Sequence, residues 1–358
     1  PAGLFFGLGV IWALLSVVWS FYPAGTARDL LEAAPLVGAV LAVPVLFDSP
    51  RRVWAALLVS AAWITVNLGR DLIRLFGELG WPLLLREARF FHPYLYTHPN
   101  VSSMMAGLCV LVFAARWISG APGLWRKAGL AVGILLDLVY LVVMASRGPQ
   151  LVFVFVALAF PLVLLPGWRA RVVAAVLVAG MAVTLVEVVP RVNPRFRDRT
   201  MRNFSQRDTV WGHSMMLAGL RPLCGYGFGK EVFDKAVYAN PEQRAPLVPF
   251  RYPHAHSYWI MLYFQGGKIG FVLWSLGWLF LGIRLGIPTF RAGRAEGRWY
   301  EKLHARSLPV LLGTGLAFIL IYGIGDFPDH VIRFSQFALA GLAISRVSSL
   351  CEKVEGRP

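Results

Sequence analysis

Long unbroken apolar blocks separated by short polar connections dominate the chain. They run roughly over 3–21, 28–47, 52–69, 100–118, 124–145, 149–166, 171–190, 257–283, 307–324 and 330–346. Each is about one crossing of a hydrocarbon core, which takes ~20 helical residues. Inside lipid every backbone N–H and C=O must be paired within the protein, which leaves only helices and closed barrels. Barrel strands would appear as segments of about ten alternating residues, and the sequence has none. The pattern therefore predicts an all-α, polytopic integral membrane protein with about ten spans.

Two longer polar connections interrupt the series. Residues 70–99 mix Arg70, Arg74, Arg86 and Arg89 with Leu, Phe and Trp, the composition of an interfacial amphipathic segment. Residues 191–256 form the largest polar region, with clustered Arg, several Pro and a glycine-rich stretch. The expected organisation is transmembrane helices over 1–190 with the interfacial segment at 70–99, a loop region over 191–256, transmembrane helices over 257–346 and a tail over 347–358. The chain opens on Pro1 and is apolar from the start, so a preceding segment is expected.

Composition agrees with this class and charge orients it. The residues are 57% hydrophobic and only 15% charged, with a mean hydropathy of +0.60, where a soluble domain carries about a quarter charged residues. The net charge of +16 would suggest nucleic acid in a soluble protein. In a membrane protein it reads as loop charge that sets topology and meets anionic lipid, with no nucleic-acid partner. If the spans alternate, the connections near 48–51, 119–126, 167–170 and 284–306 share one side with the C-terminus and hold far more arginine and lysine than the short connections of the other side. Positive charge in short loops marks the cytoplasmic side. The Arg147 connection, the whole 191–256 region and Asp326 then fall together on the periplasmic face. Cys109, Cys224 and Cys351 are widely separated and indicate neither a zinc site nor a disulfide framework.

Four polar motifs lie on that face. Ser146-Arg147-Gly148-Pro149 is wedged between two apolar blocks. There an arginine is costly, and Gly-Pro directly after it breaks the helix and turns the side chain toward protein. Arg207-Asp208-Thr209-Val210-Trp211 is followed by Arg221-Pro222-Leu223-Cys224-Gly225-Tyr226-Gly227-Phe228-Gly229. The alternating glycines allow either a compact turn or a close approach to a ligand, and Pro222 keeps Arg221 extended. Arg251-Tyr252-Pro253-His254-Ala255-His256-Ser257 precedes a span that is itself interrupted at Gln265-Gly266-Gly267-Lys268, a predicted kink. The i, i+2 spacing of the two histidines suits metal ligation, but no third ligand is evident nearby and no metal site is assigned. Asp326-Phe327-Pro328-Asp329-His330 offers a carboxylate that is either a base or, more in keeping with the excess of arginine, an arginine partner.

Together these residues resemble the O-antigen ligase family, within the group of ligases and polymerases that handle lipid-linked sugars. Ser146-Arg147-Gly148 is similar to the group's Ser-Arg-Gly opening. Arg207, Trp211 and the run from Arg221 to Gly229 are similar to its Gly-x-Gly-x-Gly loop signature. His256-Ser257, nine residues, Gly267, two residues and Gly270 fits the ligase pattern His-[Asn/Ser/Gln]-x9-Gly-x-x-[Gly/Thr/Tyr]. The resemblance is best over 140–280. It implies a GT-C-like membrane glycosyltransferase of about twelve spans in the bacterial inner membrane, its site facing the periplasm. The implied activity moves a polysaccharide from undecaprenyl diphosphate to a sugar hydroxyl of the lipid A core in lipopolysaccharide biosynthesis.

The residue types suit that chemistry. A departing diphosphate needs positive charge, and arginine forks match phosphate oxygens at any pH, which makes Arg147 and Arg221 the expected diphosphate ligands. Asp-x-Asp, the usual metal-holding pair of many glycosyltransferases, is absent from the sequence, so the reaction is expected to be metal-independent and to need no cofactor. The acceptor hydroxyl gains from losing its proton as it attacks, and His256 is the expected base, with His254, Arg207 and Asp326 as accessory groups. Attack opposite the diphosphate inverts the anomeric centre. A polymerase, a protein O-oligosaccharyltransferase and a transporter of lipid-linked sugars remain as alternatives.

Overall fold

Wherever the structure shows regular secondary structure it is helical. The structure is a computed structural model, and it describes residues 2–47, 49–87, 93, 98–120, 123–144, 146–164, 168–183, 207–238, 252, 254–292, 299–326, 333 and 335–342. The helices are α1 (Ala2–Leu15), α2 (Pro23–Leu46), α3 (Pro50–Glu87), α4 (Pro99–Ile118), α5 (Leu124–Val143), α6 (Arg147–Leu164), α7 (Trp168–Val183), α8 (Arg207–Leu220), α9 (Lys230–Tyr238), α10 (Tyr258–Ala292) and α11 (Trp299–Gly325). A further helical stretch, α12, covers 335–342.

Four stretches among the described residues are long and apolar enough to cross a membrane: Arg51–Gly80, Pro99–Ile118, Tyr258–Gly286 and Ser307–Gly325. Large apolar side chains on other helices also point outward, including Leu4 and Ile11 on α1, Leu31 on α2 and Leu177 on α7. Water would penalise that much exposed hydrocarbon, whereas lipid does not. The chain is an all-α polytopic membrane protein. Helix α4 is its most enclosed span, with 72% of its apolar window buried inside the protein. It packs against α3, α5, α6 and α11. Gly107 permits a close contact with α11, since a Cβ there would come within 2.7 Å of the Phe318 ring. A second core joins α1, α10, α11 and α12 through Phe6, Trp274, Trp278 and Leu312. A third holds α8 and α9 to the start of α10 through Phe233, Tyr252 and Phe264.

Element boundaries differ from the apolar blocks at two places. The first block stops as a helix at Leu15 because the backbone tightens into i→i−3 bonds from Val17 and Val18, while Ser16 Oγ donates to the Ala13 carbonyl. The block at 52–69 continues as helix through residues 70–87, breaking only at Gly80. Its charges are accommodated there, with Asp71 buried and Arg74 paired to Glu78 one turn on at 3.3 Å. Residues 88–92 and 94–97 of the expected interfacial segment, 191–206 and 239–250 of the expected loop region, and the 347–358 tail lie outside the described residues.

The predicted kink in the span after His256 is present. Gly267 has φ 61° and ψ −162° inside α10, a conformation that glycine tolerates and L-residues do not. The freed backbone groups are taken up by the loop 221–229, which lies against the break. Lys268 N donates to the Pro222 carbonyl at 2.8 Å, Tyr226 N to Phe264 and Gly227 N to Gln265. Trp12 and Trp19 close the same region by donating indole N–H bonds to the Gly266 and Cys224 carbonyls, both at 3.0 Å. A Cβ on Gly225 would meet the Gln265 carbonyl oxygen at 2.5 Å, and one on Gly267 would meet the Leu223 carbonyl oxygen at 2.2 Å. Of the two readings of the glycine-rich stretch, the compact turn is the one the packing requires.

Candidate active site

The N-terminal ends of α4, α6, α8 and α10 and the C-terminal end of α11 meet at one end of the bundle. Asn100 of α4, Arg207 of α8, His256 ahead of α10 and Tyr322 of α11 meet at a single carboxylate, Asp326, and Ser146 at the start of α6 joins them through Asn100. The Asp326 main chain is tied at both sides, the N–H donating to the Tyr322 carbonyl at 3.1 Å and the carbonyl accepting from Tyr258 N at 3.2 Å. The turn after α11 is thereby locked onto the start of α10.

His256 sits at that junction. It has φ 48°, making it the one non-glycine residue with positive φ among the described residues, a conformation costing about 1–3 kcal/mol and found mainly where surrounding contacts over-determine it. Those contacts are visible. The His256 carbonyl accepts from Trp211 Nε1 at 3.3 Å, its N–H donates to His254 Nδ1 at 3.2 Å, and its side-chain Nδ1 lies 3.3 Å from Asp326 Oδ1. Helix α10 does not rely on the histidine for its cap. Ser257 Oγ accepts from Ile260 N and donates to the Gly323 carbonyl, both at 3.4 Å.

The other oxygen of Asp326 gathers three donors. Tyr322 OH lies at 2.8 Å, Asn100 Nδ2 at 3.0 Å and Arg207 Nη2 at 3.5 Å. Asp326 is only 8% exposed. Burial alone would raise the carboxyl pKa, but the bond from His256, the Arg207 charge and the Tyr322 hydroxyl outweigh it and hold the group well below the usual carboxylate range. An ionised carboxylate only accepts, so the hydrogen of the His256–Asp326 contact lies on Nδ1, the tautomer in which Nε2 can serve as a general base. The His254 and His256 rings lie 4.3 Å apart, centroid to centroid. Burial, followed by the charge of His256, pushes the His254 imidazole down to about 3, so that ring stays neutral.

His254, His256 and Asp326 bring one potential ligand atom each within 4.8 Å of one another, so folding supplies a third member that the sequence around the histidines lacks. The set carries one carboxylate, and the Arg207 guanidinium already faces it. That local positive charge opposes a divalent ion and favours an anionic substrate.

The arginines separate. Arg207, with its side chain 26% exposed, joins the Asp326 cluster. Arg221 is exposed and held in the glycine-rich loop, its Nη1 3.3 Å from the Trp19 carbonyl and its guanidinium 5.0 Å over the Tyr226 ring and 5.8 Å over Phe21. Its described partners include no member of the Asp326 cluster. Arg147 is the first residue of α6 and its side chain lies outside the described residues. Its two neighbours are placed, however. Ser146 Oγ donates to Asn100 Oδ1 at 2.5 Å, and Gly148 packs on Tyr322, where a Cβ would touch the ring at 3.5 Å.

Reading motifs alone missed Asn100 and Tyr322. Asn100 sits just inside the start of an apolar block, behind His98-Pro99, and a polar amide there was the available signal. Tyr322 carried no signal beyond lying one turn before Asp326.

Residues 132–275 match the family model described as O-antigen ligase. That stretch contains Ser146-Arg147-Gly148, Arg207, the loop 221–229, His254 and His256, whereas Asn100, Tyr322 and Asp326 lie beyond it. No curated protein matches the chain closely enough to add to this.

Proposed function

We propose, from the match of residues 132–275 to the O-antigen ligase family model, that the chain transfers a polysaccharide from undecaprenyl diphosphate to a sugar hydroxyl of the lipid A core. The end of the bundle that carries Asp326 then faces the periplasm in the bacterial inner membrane, and lipid-linked donor and lipid A core acceptor reach it from the bilayer. The observation that carries the reading is the His256–Asp326 pair at 3.3 Å, with Arg207 on the same carboxylate.

In this mechanism Asp326 holds the His256 proton on Nδ1, so Nε2 takes the proton of the acceptor hydroxyl as its oxygen attacks the anomeric carbon. The bond from that carbon to the diphosphate oxygen breaks on the opposite face, which inverts the centre. Arg147 and Arg221 bind the diphosphate as its charge develops, and preorganised charge of this kind is commonly the largest contribution to such a step. Arg207 lowers the cost of the buried carboxylate and adds to the positive field. The helix N-termini at this end of the bundle contribute in the same sense. Because arginine supplies the charge, no divalent ion is required.

The deciding experiment offers the purified chain an undecaprenyl diphosphate-linked glycan with, in parallel, core-bearing lipid A, a second lipid-linked oligosaccharide or a peptide. Transfer to lipid A is expected, unaffected by EDTA. Transfer only to the second oligosaccharide identifies a polymerase, and transfer only to the peptide a protein oligosaccharyltransferase. Full loss with EDTA, restored by Mg²⁺ or Mn²⁺, would overturn the metal-free mechanism and direct attention to His254, His256 and Asp326 as ligands. Donor binding without any transfer would leave the transporter reading.

A further inference from the structure

The contacts flanking Arg147 converge on one oxygen of Asp326. Ser146, before it, donates to Asn100, and Asn100 donates to Asp326 Oδ2. Gly148, after it, lies against the ring of Tyr322, whose hydroxyl donates to the same Oδ2. Asn100 and Ser146 are 46 residues apart, and Asn100 and Asp326 are 226 apart. The link therefore exists only because α4, α6 and α11 pack side by side. The sense of the Asn100 amide follows from its two partners. Its oxygen must face the Ser146 hydroxyl and its NH₂ the carboxylate, since a flipped amide would set oxygen against oxygen.

We propose that Asn100 and Tyr322 are positioning residues, which fix the Asp326 carboxylate toward His256 and hold the start of α6, and with it Arg147, in register with that pair. The role rests on His256 acting as base, as proposed above. A carboxylate free to rotate would present either oxygen to His256 and would take up Arg207 as a closer partner. Two neutral donors bond Oδ2, and Oδ1 is the oxygen turned to His256. Serine supplies the short hydroxyl that reaches Asn100, and Gly148 lies beside the Tyr322 ring, so the backbone at Arg147 is flanked by the two groups that hold Asp326.

Asn100→Ala and Tyr322→Phe test this in the full chain, with transfer from an undecaprenyl diphosphate-linked glycan to core-bearing lipid A as the readout. Removing a group that orients a functional residue typically costs 10–100-fold, so kcat should fall about 10-fold or more in each variant, with donor affinity also reduced in Asn100→Ala, which frees the Ser146 end of α6. Loss of a neutral donor leaves Asp326 drawing more strongly on the His256 proton. The acid limb of the rate should therefore move to higher pH. The described charged and titratable groups facing the pair are Arg207 from α8, His254 ahead of α10 and Tyr322 from α11, with Lys230 of α9 acting on His254. None of these is altered in Asn100→Ala. A purely structural Asn100 would lower the amount of folded enzyme equally at every pH and leave the limb in place. Should Asn100→Ala fail to fold, Tyr322→Phe removes only a hydroxyl and decides alone. Wild-type kcat and an unmoved limb in Tyr322→Phe or in folded Asn100→Ala, with His256→Ala inactive, overturn the positioning role and leave the base intact. Undiminished transfer by His256→Ala overturns both.

Discussion

Replacing Asp326 by Asn keeps the size of the side chain and removes its charge, and the consequences can be followed atom by atom. The three donors at Oδ2, namely Tyr322 OH, Asn100 Nδ2 and Arg207 Nη2, require an acceptor there, so the new amide must place its oxygen on that side. Its NH₂ then faces His256 Nδ1, 3.3 Å from the wild-type oxygen. A donor opposite Nδ1 forces the proton of the neutral ring onto Nε2, where it can no longer accept one from a hydroxyl. The variant therefore loses the proposed general-base catalysis, worth about 10²–10⁴-fold, while Arg147 and Arg221, the proposed diphosphate ligands, remain. Arg207 also loses its carboxylate. Hydrogen bonds to charged groups contribute about 1.5–3 kcal/mol when well formed, but at 3.5 Å with the Arg207 side chain 26% exposed solvent screening reduces this to about 1 kcal/mol or less. Turnover should fall by at least ~10²-fold with donor affinity and thermal midpoint close to wild type. The assay pairs single-turnover glycan transfer with donor binding on the same preparation. Transfer within about threefold of wild type would refute the dyad, and loss of donor binding alongside transfer would reassign Asp326 to substrate recognition.

Three further outcomes are expected. Arg221→Lys should transfer poorly while remaining folded, because a point charge cannot reproduce a planar fork that also stacks over Tyr226; near wild-type transfer would reduce Arg221 to a loop contact. Gly267→Ala should lower stability by about 2–4 kcal/mol, since it places a Cβ 2.2 Å from the Leu223 carbonyl oxygen at φ 61°, and a melting curve like wild type would show that the break in α10 is not constrained by the loop. His254 is held neutral in the fold with its pKa depressed to about 3, against about 6.5 in an unfolded chain. The unfolded state thus binds the extra proton first, and stability should be full above ~6.5 and decline as pH falls from there toward 3. Thermal melts of His254→Gln should be flatter than wild type across that window, and an identical slope would show that His254 is not the group responsible.

The membrane class and the helix count per apolar block depend on local information. Backbone pairing in lipid leaves one solution for a twenty-residue apolar run, whatever lies around it. The kink at Gly266-Gly267 was equally local, because adjacent glycines inside an apolar helix weaken it without reference to partners. Arg147 was also legible, as a charge at a span edge where burial is costly, and Arg207, Arg221, His254 and His256 were legible as short polar motifs in the region before the next span. Tertiary packing decided the rest. Whether Asp326 met an arginine or a histidine depended on how the end of α11 closed over the start of α10, and it meets both Arg207 and His256. Asn100, 226 residues away from Asp326, had no local feature tying it to that carboxylate. The glycine-rich loop allowed two readings until the backbone of α10 came within 2.6 Å of where a Cβ of Gly225 would stand. Local sequence determines which segments leave water, because desolvation acts on each residue where it stands. Which polar groups meet at their ends is decided only by the packing of whole helices, whose contacts sum over many residues and leave no trace in any short window.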